Sequence, residues 1–134
     1  MMNQIAVVQN NAGSDIEANK AQLAILIADA ASTGATVILL PEMCLCMDGS
    51  QYHHIAESTE YTEWFAQQAQ HYGVWLLVGA IPQLCPDGDP RVRSALLVFN
   101  AQGELVSRYD KIHLFDQSRG AKAFSYFGTI TKRY

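Results

Sequence analysis

Two apolar runs rich in β-branched residues, with a helical repeat between them and a stop residue closing each, leave this chain few folds to choose from. Ile5-Ala6-Val7-Val8 is apolar on both faces and ends at Asn10-Asn11-Ala12-Gly13, the pattern of a buried strand. Ser14 and Glu17 then stand at capping-box spacing, and Ile16, Leu23, Ile27 and Ala30 recur near the helical period. Gly34 closes that helix, because glycine takes the left-handed C′ conformation at no steric cost. Thr36-Val37-Ile38-Leu39-Leu40 is the next strand, and Pro41 stops it. A strand–helix–strand unit of this kind pairs its strands in parallel, in a covered sheet with a right-handed crossover.

The pattern then recurs. A loop from Met43 to about Ser58 leads to a helix near Thr59–Tyr72, with Tyr61, Trp64, Phe65 and Ala69 at core spacing and Gly73 as its stop. Val74–Ala80 is a third buried strand, and Pro82–Pro90 reads as a loop. Strands at about Ser94–Phe99 and Glu104–Tyr109 flank the four-residue turn Asn100-Ala101-Gln102-Gly103. The order is β-α-β-α-β followed by a β-hairpin, which is α/β architecture. No internal repeat, low-complexity stretch or interdomain linker interrupts it.

Composition excludes several classes of protein. The 134 residues are 49% hydrophobic and 16% charged, inside the globular range and sufficient for one core. A net charge of −4 argues against nucleic acid as a partner, since phosphate binding needs clustered Lys and Arg. Three cysteines make no disulfide framework. No basic leader precedes Ile5, and no apolar run approaches the roughly 20 residues of a membrane span. The expectation is a cytoplasmic protein without a membrane partner. The charge is unevenly placed: residues 1–116 carry all 13 acids against five bases, a balance of −8, whereas 117–134 carry four bases and no acid.

In open α/β sheets, ligands gather at the carboxyl ends of the strands. Pro41-Glu42 lies there, a carboxylate placed as a general base or else an ordinary solvated loop residue. Lys111 follows the hairpin in Arg108-Tyr109-Asp110-Lys111-Ile112-His113-Leu114-Phe115-Asp116. If the strand continues, Lys111, His113 and Phe115 share one face. A lysine alternating with apolar residues is partly buried and needs a carboxylate or a developing oxyanion beside it, unless it simply snorkels to the sheet end. Cys44 and Cys46 with His53 and His54 hold metal-binding atoms, but the single-residue gap between the cysteines fits zinc poorly, and no metal is assigned. Cys85 is alone in the Pro-rich loop, and His71 suits the end of its helix. Neither a dinucleotide nor a nucleoside triphosphate loop is present, since Gly13 stands alone after strand one.

Taken together these segments resemble the first half of a nitrilase-superfamily carbon–nitrogen hydrolase. The likeness rests on the strand ending at Gln9, Asp15 and Asn19 opening the first helix, Gly34-Ala35 before Pro41-Glu42, Gly79, Leu96–Phe99 before Gly103-Glu104, and Tyr109–Asp116. It implies half of a four-layer α-β-β-α sandwich. It also implies hydrolysis of nitriles or non-peptide amides by a Glu–Lys–Cys set without metal or organic cofactor. Glu42 would be the general base, and Lys111 the oxyanion stabiliser and proton donor. Arg91-Val92-Arg93 and Lys111–Asp116 resemble the small-amide branch of omega-amidases and deaminated glutathione amidases.

In that family the nucleophile follows the lysine by a few tens of residues, in a Cys-Tyr-Asp-x-Arg-Phe context. No cysteine follows Lys111 here, so the nucleophilic cysteine is expected to be absent from the chain; Cys44, Cys46 and Cys85 match no such motif. No acid follows Asp116, so a second family glutamate is missing too. The expected organisation is an incomplete hydrolase domain over 1–116 and a divergent basic, aromatic tail over 117–134. That pattern is expected of a truncated or frame-disrupted chain, inactive alone. The alternative is a pseudoenzyme or assembly module that pairs with a full-length relative. Half a sandwich leaves apolar sheet uncovered, so self-association or aggregation is expected. A small flavodoxin-like domain fits the element order but leaves Glu42 and the lysine block unexplained.

Overall fold

The computed structural model describes residues 3–112, so His113–Asp116 and the 117–134 segment lie outside the described residues. The elements are β1 (Ile5–Val7), α1 (Ile16–Ser32), β2 (Val37–Leu40), α2 (Tyr52–Glu57), α3 (Glu60–Tyr72), β3 (Trp75–Leu84), β4 (Val92–Phe99) and β5 (Leu105–Asp110). They form one five-stranded sheet in sequence order. β1, β2 and β3 run parallel, and β3–β4 and β4–β5 are antiparallel. This is the expected α/β arrangement, with the hairpin extended by a third antiparallel strand.

The helices cover one face of the sheet. Ile38, Leu40, Leu76, Val78, Leu97 and Phe99 join Leu23 and Ile27 of α1, Ile55 of α2 and Phe65 and Ala69 of α3 in one core. Each fully buried aliphatic or aromatic side chain of this set contributes about 1.5–3 kcal/mol. Among the described residues nothing covers the opposite face, and there the reading of strand one as buried fails. Ile5 is 62% and Val7 77% exposed, with Trp75 at 44% and Tyr109 at 50%. β1 is an edge strand, and an alternating strand covered on one side buries only every second side chain.

Local departures have local causes. The cap of α1 is Asp15, whose Oδ1 accepts from the Ala18 amide at 3.0 Å, rather than Ser14. Glu17 is thereby left to pair with Lys20 on the helix surface. Gly34 takes φ +87° after the helix, and Gly73 ends α3 at φ +61°, as expected of helix-terminal glycines. The stretch expected as a loop from Met43 to Ser58 contains a 3₁₀ turn, Gly49–Gln51, and then α2. Asp48 caps the turn, and α2 forms because Ile55 is buried against the core. Pro82–Leu84, expected as loop, extend β3 and pair with Ser94, Arg93 and Val92 of β4. The register shifts between Val78 and Ile81, and a strand tolerates proline beside such an irregularity. The Pro82 carbonyl accepts instead from the Gln83 side chain at 2.8 Å.

The β4–β5 turn forms as its sequence dictates. Asn100 Oδ1 accepts from the Gln102 and Glu104 amides, and the Gly103 amide donates to the Asn100 carbonyl. Gly103 also presses this turn onto α3: a Cβ built there would lie 2.6 Å from the Ala66 carbonyl oxygen. With φ at +79°, a side chain at this position is strained as well as crowded. Gly103→Ala is therefore expected to cost about 1–3 kcal/mol. Urea unfolding measures this, and an unchanged midpoint would refute the close turn–helix contact.

Candidate active site

The carboxyl end of β2 and the end of β5 bring together two side chains that lie 69 residues apart in sequence. Lys111 Nζ donates to Glu42 Oε1 at 2.6 Å. β5 ends at Asp110, close to the expected Tyr109, so the strand does not continue through Lys111, but the Lys111 amide still donates to the Ser94 carbonyl at 2.9 Å. The side chains are 41% and 55% exposed, more open than a lysine sunk among apolar neighbours. The partner is nevertheless the carboxylate that such a lysine needs. A charged donor and acceptor this close form a strong hydrogen bond, and both groups remain reachable by a small molecule. His113 and Phe115, expected beside Lys111, lie outside the described residues.

The backbone on either side sets the position of Glu42. Pro41 ends β2, and Met43, immediately after Glu42, takes φ +51°. The Met43 amide donates to the Ala80 carbonyl at 2.8 Å, tying the turn to the shifted stretch of β3. Gly79 lies beneath: a Cβ there would stand 2.7 Å from Leu96 Cδ1 and 3.7 Å from the Leu40 carbonyl oxygen. The lack of a side chain at Gly79 therefore lets β4 close on β3 beside the site.

The other expected candidates go elsewhere. Cys44 and Cys46 are core residues, and His53 and His54 sit on α2. The Tyr61 hydroxyl is 3.4 Å from His54 Nε2. Among the described residues no group of three His, Cys, Asp or Glu side chains is arranged to hold a metal ion. Cys85 is buried, and its thiol donates to the Arg91 carbonyl. His71 lies in the last turn of α3, with its ring 4.6 Å from that of Tyr72. Sequence reading missed Tyr52, a half-buried tyrosine at the start of α2. Burial first, and then electrostatic repulsion from nearby acidic groups, Asp48 and Glu42 among them, push its hydroxyl pKa up. The fold brings it within the field of Glu42, and no spacing in the sequence announces that.

The chain matches the carbon-nitrogen hydrolase family model over residues 4–129. It belongs to the carbon-nitrogen hydrolase family. The match runs past Asp116, so the family boundary and the change of charge do not coincide. The chain is similar to a deaminated glutathione amidase of Yersinia enterocolitica, 33% identical over 116 residues, covering 84% of this chain and 40% of that protein. It is similar to an omega-amidase of Xenopus tropicalis, 35% identical over 94 residues, covering 68% of this chain and 33% of that one. The crystal structure of the Caenorhabditis elegans NitFhit protein superposes with a TM-score of 0.77 at 25% identity, over 93% of this chain and 33% of that one. The chain thus spans about a third to two-fifths of the length of these relatives. The family and the nitrilase fold expected from the motifs are both borne out.

The two thiols nearest Glu42 in sequence do not ionise readily. Burial pushes the Cys44 pKa from 9.0 up to about 12, against a small opposing backbone hydrogen bond. Burial also raises that of Cys46. A thiol whose folded pKa is raised destabilises the folded state once the unfolded chain ionises. Stability is therefore full below pH 9 and falls as pH rises from 9 toward 12. The thermal midpoint should drop between pH 8.5 and about 10.5, and less so in Cys44→Ala. A Cys44→Ala profile parallel to that of the parent would contradict the burial of this thiol.

Proposed function

We propose that this chain supplies the general base and the oxyanion-stabilising lysine of a carbon–nitrogen hydrolase active site acting on a small non-peptide amide or nitrile. The 2.6 Å contact between Glu42 and Lys111 carries this reading. Two oppositely charged groups from separate strand ends, joined at the carboxyl edge of a sheet, form an acid–base pair open to a ligand. The amidase relatives support the amide class of substrate.

In the proposed sequence a cysteine sulfur attacks the amide carbonyl carbon, and Glu42 takes the thiol proton. Negative charge builds on the carbonyl oxygen of the tetrahedral intermediate, where the Lys111 ammonium stabilises it. The carbon–nitrogen bond then breaks, the proton held by Glu42 passes to the leaving nitrogen, and a thioester remains. Water, deprotonated by Glu42, adds to the thioester, and the sulfur leaves as thiol with that proton. Loss of one charge-stabilising donor in such a site costs about two to three powers of ten in rate.

The attacking sulfur is not proposed to come from this chain. Cys44 and Cys46 are buried with raised pKa values, and Cys85 is buried in the loop beyond β3. A nucleophilic cysteine needs the opposite environment, partly exposed and electropositive. The purified chain is therefore expected to release no ammonia from short ω-amides. Ammonia release by the purified chain that is lost when Cys44, Cys46 or Cys85 is replaced by serine would overturn this assignment. The segment 117–134 is proposed to differ from residues 1–116 in charge alone, since the family match continues to residue 129.

One observation favours a second role, as an assembly module. The exposed Ile5, Val7, Trp75 and Tyr109 give the sheet an uncovered apolar face. Such a surface drives association when it is contiguous. Sedimentation should give a mass above the 14.8 kDa of one chain, and Val7→Lys should lower it. A monodisperse monomer would refute this role. Among the described residues no helix is long and apolar enough to cross a membrane.

A further inference from the structure

The segment just after Glu42 is tied down more tightly than any catalytic role assigned so far requires. Met43 holds a left-handed backbone, φ +51°, which a residue with a side chain adopts only where its surroundings enforce it. Downstream, almost every peptide is tethered. The Asn10 side-chain amide donates to the Cys44 carbonyl at 3.0 Å. Asn19 Nδ2 donates to the Leu45 carbonyl at 2.9 Å and to the Gly13 carbonyl at 3.0 Å, while Asn19 Oδ1 accepts from the Gly13 amide at 3.1 Å. The Met47 amide donates to the Gly13 carbonyl at 3.0 Å. Asn19 is 5% exposed, one of few buried polar side chains, and all three of these bonds go to backbone.

We propose that Asn10 and Asn19 are positioning residues that brace the Met43–Met47 segment against the β1–α1 loop and so aim Glu42 at Lys111. This rests on the assignment of Glu42 and Lys111 as the acid–base pair. Glu42 itself is half exposed, so packing does not hold its side chain. Its direction follows from the backbone on either side: Pro41 at the end of β2 before it, and the tethered segment after it. Met43 is where a brace has an effect, since an unsupported methionine relaxes out of the left-handed region and rotates the peptide next to Glu42.

The Lys111 ammonium reports on the pair directly. In nitrogen-15 spectra of the full chain, a lysine ammonium is visible when a hydrogen bond slows its exchange with water. Lys111→Arg identifies its signal. Lys20, held by Glu17 and Glu60 at 3.3 Å each, serves as an internal control on α1 and α3. Asn19→Ala is expected to lose the Lys111 signal and keep that of Lys20, and adding Met43→Gly should bring the Lys111 signal back. Should Asn19→Ala fail to fold, Asn10→Ala, which removes a single bond at a less buried residue, is read in the same way. A Lys111 signal unchanged in the folded variant overturns the proposal. So does an equal loss in Gly103→Ala, which weakens the fold far from this brace. A double variant as silent as the single one overturns the route through Met43. The readout is the ion pair and not turnover, so a failure of the hydrolase reading and a failure of the brace give different results.

Discussion

The structure depends on β2 lying between β1 and β3 under a cover of helices on one face. Its inward residues, Ile38 and Leu40, meet α1 and α3 through the shared core, and its carboxyl end carries Pro41 and Glu42. β2 buries Ile38 and Leu40 and leaves Val37 and Leu39 half-buried, so it cannot shift register by one residue without turning its buried pair outward. The position of Glu42 is thus set by the core, and its direction by the tethered segment beyond the strand. β3 continues for several residues past the point where β2 stops, and the Met43–Ala80 bond uses that overhang as an anchor.

Lys111 reaches the site by a different route. The meander β3–β4–β5 carries the chain outward from the parallel core, and the tight turn at Gly103, packed on α3, fixes where β5 returns. The missing side chain at Gly79 lets Leu96 settle onto β3, so β4 closes on β3 beside the site. The missing side chain at Gly79 thus acts on the strand spacing next to the site, whereas Gly103 acts at the opposite end of β5. The open apolar face on the other side of the sheet is the counterpart of this one-sided construction.

Much of this was legible in the sequence for physical reasons. The strand–helix–strand order follows from apolar runs and their stops, and Gly34 and Gly73 end their helices where left-handed residues are needed. Glu42 and Lys111 stand out because a carboxylate at a strand end and a lysine among apolar residues each need an explanation. The misreadings share a cause as well. Ile5 and Val7 look like core because apolarity does not reveal which face a neighbour will cover. Pro82 looks like loop because a proline in a strand depends on a register shift that only the partner strand creates. Asp15 takes the cap from Ser14 because one residue of helix phase decides which side chain meets the free amides.

The sequence by itself determined the main strands and helices, their order and the family, and singled out Glu42 and Lys111 as candidates, since these rest on local periodicity, stop residues and motifs within a few positions of each other. Only the tertiary structure decided that Glu42 and Lys111 touch and that the side chains of Asn10 and Asn19 bond the backbone of Cys44 and Leu45 beyond Glu42. Each of these is a contact across tens of residues. Its distance follows from how strands pair and which face the helices cover, and no local pattern carries that information.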